Sequence, residues 1–247
     1  MRIPSTEVQN NFGKYLNIAA SGQEVVITRM GMEMARMVPC IPRPDEIEET
    51  SGAYSAGRGR RVSYEEFLEL TRDLDQRFEL IDGVVYKMDS PNYFHQSALL
   101  HIVSFLDNWF KGKKCRPVPS PFDITLVKWM EEKNVVQPDI VILCDPENID
   151  ENGKYTGIPT LVVELLSKTS RTKDSVKKLD LYLSTGIREF WLVDPVRKQC
   201  TVYDLQDQAI EDSRIFTGNE TVSSFVFEGL GIPLDEIFSD KGWSCPP

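Results

Sequence analysis

A chain of 247 residues, 41% hydrophobic and 27% charged, can bury a sizeable core and lacks the bias of collagen, a coiled coil or a globally disordered protein. Its apolar stretches, such as Ile140 to Cys144, fall far short of the roughly 18–20 residues a membrane span needs, and the start MRIPSTEVQNN lacks the apolar core of a secretory signal, so a cytoplasmic protein with no membrane partner is expected. The formal charge of −10 weighs against a phosphate-binding partner, but residues 204–240 carry nine acids and one base, leaving 29 acids against 27 bases elsewhere.

The first segment predicts a small α+β module over 1–45. Ser5 or Thr6 can cap a helix whose apolar positions Val8, Phe12, Tyr15, Leu16 and Ala19 follow helical spacing up to Gly22. The run EVVITRMGMEMARMVP then reads as a hairpin turning at Gly31. A unit of this size has little core of its own and calls for a partner surface. A polar stretch rich in Asp, Glu, Ser and Gly follows Pro42 to Pro44, which sets a linker at 46–62 and a main domain at 63–247.

The main domain opens with SYEEFLEL, where Ser63 and Glu66 make a capping box. RFELIDGVVYKM predicts a hairpin turning at Asp82-Gly83. Residues 92–110 carry Ala98, Leu99, Ile102, Phe105, Leu106 and Trp109 at helical spacing. Strands are expected at about 121–129, 135–144 and 160–166, then a helix at 173–184 closed by Gly186, then strands in EFWLVD and CTVYDL. Strands alternating with helices indicate an α/β fold, a mixed sheet flanked by helices.

The five cysteines are scattered, odd in number and without a CxxC pair, so a reduced chain is expected rather than a disulfide framework. With only His95 and His101 beside them, zinc is a poor fit, and any metal should be held by oxygens. Asp139 in VVQPDIVIL and Glu164 in TLVVELLS are carboxylates inside apolar runs, where an unpaired charge costs several kcal/mol. A hard divalent cation shared by the two would offset that cost; salt bridges to nearby Arg or Lys are the other solution. Pro138 lacks a ladder N–H and marks an edge or irregular strand. On the next helix Asp174, Lys178 and Tyr182 recur at i, i+4 and i+8, with Val176, Leu179 and Leu183 on the neighbouring apolar face. Alone, such a lysine is a solvated surface charge more often than a catalyst; its place just after the acidic strand is what singles it out.

Two resemblances add to this reading. STEVQNNFGKYLNIAASGQEVVITRMGMEMARMVP resembles the amino-terminal half of Phd/YefM-type antitoxins, which implies a homodimerising or operator-DNA-binding module. The toxin-wrapping segment of those antitoxins is replaced here by the linker and main domain, so no toxin partner is expected. FELIDGVVYKM, MDSPNYFHQ, VVQPDIVILCDP and LVVELLSKTSRTKDSVKKLDLYLSTGIREFWLVDP resemble the Uma-type restriction endonuclease family of the PD-(D/E)xK superfamily. That resemblance implies a restriction-endonuclease-like fold and a metal-dependent nuclease linked to a restriction-type or toxin–antitoxin system. It implies Asp139 and Glu164 as the two motif acids, Glu79 as an upstream acid and Lys178 as the lysine. The superfamily pattern has lysine two residues after the second acid, where this chain has Leu166, and Lys168 stands where the family has proline. His95 and Gln137 match family positions; a satisfied buried histidine is the bland reading of the first.

The expected chemistry is Mg²⁺ or Mn²⁺ held by Asp139, Glu164 and the Leu165 carbonyl, with Lys178 orienting water or stabilising phosphate charge. Arg171, Lys173 and Lys177 would contact the phosphates of nucleic acid, DNA foremost. The competing expectation is a non-enzymatic DNA-binding regulator built on an inactive nuclease fold.

Overall fold

The computed structural model describes residues 1–20, 24–37, 61–128, 131–167 and 173–239, and the chain divides into two units, Met1–Thr50 and Ser51–Pro247. Of the linker expected at 46–62, only Arg61 and Val62 lie within the described residues.

The first unit contains β1 (Arg2–Pro4), α1 (Ser5–Asn10), α2 (Phe12–Ala20), β2 (Val25–Arg29) and β3 (Met32–Met37). Its sheet runs β1-β2-β3, with β1 parallel and β3 antiparallel to β2. The expected hairpin is present, and Met30 (φ 51°) and Gly31 (φ 79°) supply the two left-handed residues of its turn. The single expected helix is instead two, because Asn11 (φ −135°, ψ 35°) leaves the helical region. No Ser5 or Thr6 cap forms either: β1 runs directly into the helix, Ser5 is already helical and Pro4 holds the cap position. Val8, Tyr15, Ala19 and Val25 make a core of four buried side chains, while Met30, Met32 and Met34 are exposed.

The second unit begins with α3 (Tyr64–Thr71), whose Ser63–Glu66 capping box forms as expected. The hairpin β4 (Phe78–Ile81) and β5 (Val84–Lys87) turns at Asp82 (φ 50°) and Gly83 (φ 75°). Then come α4 (Tyr93–Phe110), β6 (Arg116–Pro119), β7 (Ile124–Val127), β8 (Lys133–Val136), β9 (Ile140–Leu143), β10 (Leu161–Leu165) and α5 (Lys173–Thr185). β11 (Glu189–Asp194), β12 (Gln199–Gln206), β13 (Ala209–Thr217), β14 (Thr221–Ser223), β15 (Gly231–Pro233) and α6 (Leu234–Ile237) complete it.

A six-stranded sheet in the order β13-β12-β11-β10-β9-β6 is the centre of this unit, and β10 and β11 are its one parallel pair, joined through α5. Strand alternation gives each face its own helix. Ile140, Ile142, Leu161, Val163 and Leu165 pack with Ala98, Ile102 and Leu106 of α4. Val141, Leu143, Val162 and Phe190 pack with Leu181 and Tyr182 of α5. A second, antiparallel sheet runs β5-β4-β8-β7. The mixed α/β architecture with sheet between helices is therefore present.

Three further expectations need correction. The strand expected over 135–144 is two strands in different sheets, β8 and β9, with Pro138 and Asp139 at the crossing between them. Val176, expected on the apolar face of α5, is 62% exposed. Cys115 and Cys144 form a disulfide, because β6, which the sequence did not reveal, pairs with β9 in a register that sets Arg116 opposite Leu143 and the two cysteines opposite each other just beyond. Among the described residues no helix is long and apolar enough to cross a membrane.

Candidate active site

Pro138, directly before Asp139, decides where that carboxylate lies. Without an N–H to donate, Pro138 cannot continue the β8 ladder, and the chain swings from the small sheet into the large one. Asp139 is left at that bend, and its Oδ2 accepts the Leu165 N–H at 2.7 Å. His95, in the first turn of α4, places Nε2 3.2 Å from the same oxygen. The α4 start is fixed by Asn92, whose side chain accepts the His95 N–H at 3.1 Å.

Glu164 lies on β10 with the same parity as Val162, so it faces α5. There Lys178 donates to Glu164 Oε1 at 2.9 Å, and Tyr182, one turn on, donates to that oxygen at 2.5 Å. The i, i+4 stripe thus holds for Lys178 and Tyr182. Lys178 also donates to Glu79 Oε1 of β4 at 2.9 Å, and the Gln137 N–H reaches that oxygen at 2.9 Å. The side chains of Lys178, Glu79 and Glu164 are only 11%, 8% and 12% exposed. Asp139, Glu164, Glu79, Lys178, His95, Gln137, Tyr182 and the Leu165 backbone are therefore one connected constellation.

Glu79 and Glu164 share one lysine, and the Asp139 carboxylate near Glu164 adds further negative charge. Burial drives the Glu164 carboxyl up; Lys178 pulls it back, Asp139 and Glu79 repel it, and the balance stands at about 7. Burial alone would depress the Lys178 ammonium, but Glu164 and Glu79 outweigh it and hold the group charged. Burial likewise opposes protonation of His95, and the bond to Asp139, the charges of Asp139 and Glu164 and the Leu165 backbone together raise it. Burial raises the Tyr182 hydroxyl well above its ordinary range, with Glu164 adding to the effect, so it acts as a donor. His95 Nδ1 and Gln137 Oε1 are buried without a hydrogen-bond partner among the described residues.

Other expected residues do not join the constellation. Lys177 turns to Tyr86, with Nζ 2.6 Å from the phenol oxygen. Lys173 and Asp174 start α5, with their side chains outside the described residues, as is the whole of Arg171. Tyr86 was not singled out in the sequence, although hairpin register about Asp82-Gly83 sets it directly opposite Glu79. Among the described residues, no group of three or more His, Cys, Asp or Glu side chains is arranged to hold a metal ion. Asp139 Oδ1 and Glu164 Oε2 are nevertheless two carboxylate oxygens to which no described group donates.

A mixed sheet between helices, with Glu164 on β10, Asp139 at the bend before β9 and Lys178 reaching in from α5, is consistent with a nuclease-like α/β fold. Residues 64–235 match the Uma2 family, described as "Putative restriction endonuclease", and the chain belongs to that family. It is similar to the protein slr1290 of Synechocystis sp., at 25% identity over 148 residues, 60% of this chain and 76% of that one. The crystal structure of a putative nuclease of the DUF820 group from Anabaena variabilis shares the fold. It aligns with a TM-score of 0.58 at 22% identity, covering 72% of this chain and 97% of that one.

Proposed function

We propose that the chain is a metal-dependent endonuclease that hydrolyses phosphodiester bonds in nucleic acid, DNA foremost, with Asp139, Glu164 and Lys178 at its centre. What carries the reading is the meeting of these three side chains from a sheet crossing, a strand and a helix, with one oxygen on each acid to which no described group donates. The donor set suits a hard cation: Asp139, Glu164 and the Leu165 carbonyl would hold Mg²⁺ or Mn²⁺. Such an ion, when bound, lowers the pKa of a water and polarises the phosphate. Two side-chain donors leave the remaining positions of such an ion to water and phosphate oxygens.

The chain's own groups have distinct tasks. Lys178 orients the attacking water or stabilises charge developing on the phosphate oxygens. Glu79 and the Gln137 N–H fix Lys178 and its partner from the β4 side. His95 and the Leu165 N–H hold Oδ2 of Asp139, which leaves Oδ1 for the ion. Tyr182 holds Oε1 of Glu164 in the same way. The amino-terminal module, with methionines exposed along β3, is read as a homodimerisation element.

The test is calorimetric titration with Mg²⁺ or Mn²⁺, followed by cleavage assays on DNA and RNA. Binding that Asp139→Asn abolishes, with divalent-dependent cleavage lost in the same variant, supports the assignment. Cleavage that persists in EDTA, or in Asp139→Asn at the wild-type rate, removes it.

A further inference from the structure

The first turn of α4 carries more than His95. Tyr93 and Phe94 precede it directly, are 50% and 57% exposed, and meet edge to face with ring centroids 5.6 Å apart. A lone exposed aromatic needs no explanation, but two adjacent ones at the helix end that delivers a side chain to Asp139 do. Five residues before Asn92 ends the hairpin strand β5, whose Tyr86 holds Lys177 by its hydroxyl, with Nζ 4.7 Å from the ring centroid. The helix start beside His95 thus carries exposed aromatic residues, and the strand opposite Glu79 carries an aromatic face with a lysine on it.

The chemistry of such aromatic faces favours unpaired nucleotides. Stacking on aromatic side chains is available only to bases outside a duplex, and it tolerates any sequence because every base has a π-face. Duplex binding without base readout relies instead on many phosphate contacts from a broad basic surface. Most of this chain's net negative charge lies in residues 204–240, and among the described residues of the site Lys177 and Lys178 are the lysines that face the carboxylates and Tyr86. Two lysines and several aromatic faces among the described residues fit a single strand better than a double one.

We propose, resting on the nuclease reading above, that the substrate enters as single-stranded or locally unpaired nucleic acid with a base stacked on Phe94 while Lys177 meets the backbone. The decisive experiment is fluorescence anisotropy with the full chain in EDTA, using a labelled oligothymidylate and a duplex of the same length. The single strand should bind more tightly. Phe94→Ala should lower its affinity about tenfold or more, the loss expected for one stacked base, while Phe94→Tyr retains it. Ile215→Ala, an exposed apolar residue on β13, serves as the control and should change nothing. Equal or tighter binding of the duplex, or an unaltered single-strand affinity in Phe94→Ala, overturns the proposal. Cleavage separates the two readings: a wild type that cuts duplex in Mg²⁺ and ignores Phe94→Ala sinks the stacking proposal alone. Aromatic-dependent single-strand binding without any cleavage keeps the platform and sinks the nuclease reading.

Discussion

Lys178 and Glu164 are joined at 2.9 Å across the packing of α5 on β10, and the same ammonium holds Glu79 at 2.9 Å. The sequence offered two solutions for a buried carboxylate, a cation or a salt bridge. Both now fall on the same side chains. The lysine that neutralises two acids in the resting protein is also the one proposed to act on a phosphate, so on that proposal its structural and catalytic tasks are not separated by residue. They can be separated by metal.

Lys178→Ala should leave Glu79 and Glu164 buried without their cation. Breaking a buried pair by removing one partner costs about 3–5 kcal/mol, so thermal unfolding without divalent ions should move down sharply. Mg²⁺ should recover part of the loss, because a cation bound at the carboxylates replaces the missing charge. Cleavage should stay low, by a factor of about 10²–10³ for one preorganised group. Asp139→Asn should do the opposite: unchanged or higher stability in EDTA, from relief of repulsion, and no Mg²⁺-induced rise. A Lys178→Ala protein that Mg²⁺ does not protect, beside a wild type that it also fails to protect, would leave only the salt bridge.

The Glu164 carboxyl gives the metal-free chain a pH signature. Its folded value of about 7 lies above the ordinary 4.5, so the folded state binds this proton more tightly than the unfolded state does. Stability from this group is complete below about pH 4.5 and is lost as pH rises toward 7. The melting temperature in EDTA should therefore fall across that window, and Glu164→Gln should flatten the slope. A wild-type profile that instead rises between the two values would show that Lys178 dominates and keeps Glu164 ionised.

How far the site could be read in advance depended on where local pattern sufficed. Asp139 and Glu164 were visible as charges inside apolar runs, and Lys178 with Tyr182 as a helical stripe. Ser63 with Glu66 as a capping box and Asp82-Gly83 as a turn are local signals that the structure repeats. Pro138 was read as an irregularity within one strand; that the chain changes sheet there depends on β8 pairing with β7 and β4, contacts far apart in sequence. The Cys115–Cys144 disulfide was hidden for the same reason, since β6 is a four-residue strand containing two prolines, a pattern that argues against a strand. Glu79 was placed by resemblance alone, because FELI gives no local reason for its acid to face a helix 99 residues later.

The amino-terminal unit should be the source of any dimer. Four buried side chains make a small core, and the β3 edge exposes Met32 and Met34 at 66% and 61%. Removing residues 1–42 should reduce the mass measured by light scattering to that of a monomer. A dimer that survives the deletion would move the interface to the second unit.

Gly83 links the turn chemistry to the site. Its φ of 75° lies in the left-handed region, and a Cβ there would come within 2.9 Å of Arg61 Cβ, an atom tied closely to its own backbone. Two penalties therefore act together on Gly83→Ala: about 1–2 kcal/mol for a left-handed alanine, and displacement of the Arg61–Val62 segment, whose Val62 N–H donates to the Gly83 carbonyl at 2.8 Å. The hairpin register sets Glu79 opposite Tyr86, so a distorted turn disturbs both residues that hold α5 lysines, Glu79 on Lys178 and Tyr86 on Lys177. The expected result is a destabilised protein with cleavage reduced more than Mg²⁺ binding, since Asp139 and Glu164 lie outside this hairpin. Gly83→Asn, a residue that tolerates the left-handed region better, should recover part of the stability. If alanine and asparagine behave alike, the close approach of Arg61 and not the backbone angle sets the cost, and Arg61→Gly should then relieve it.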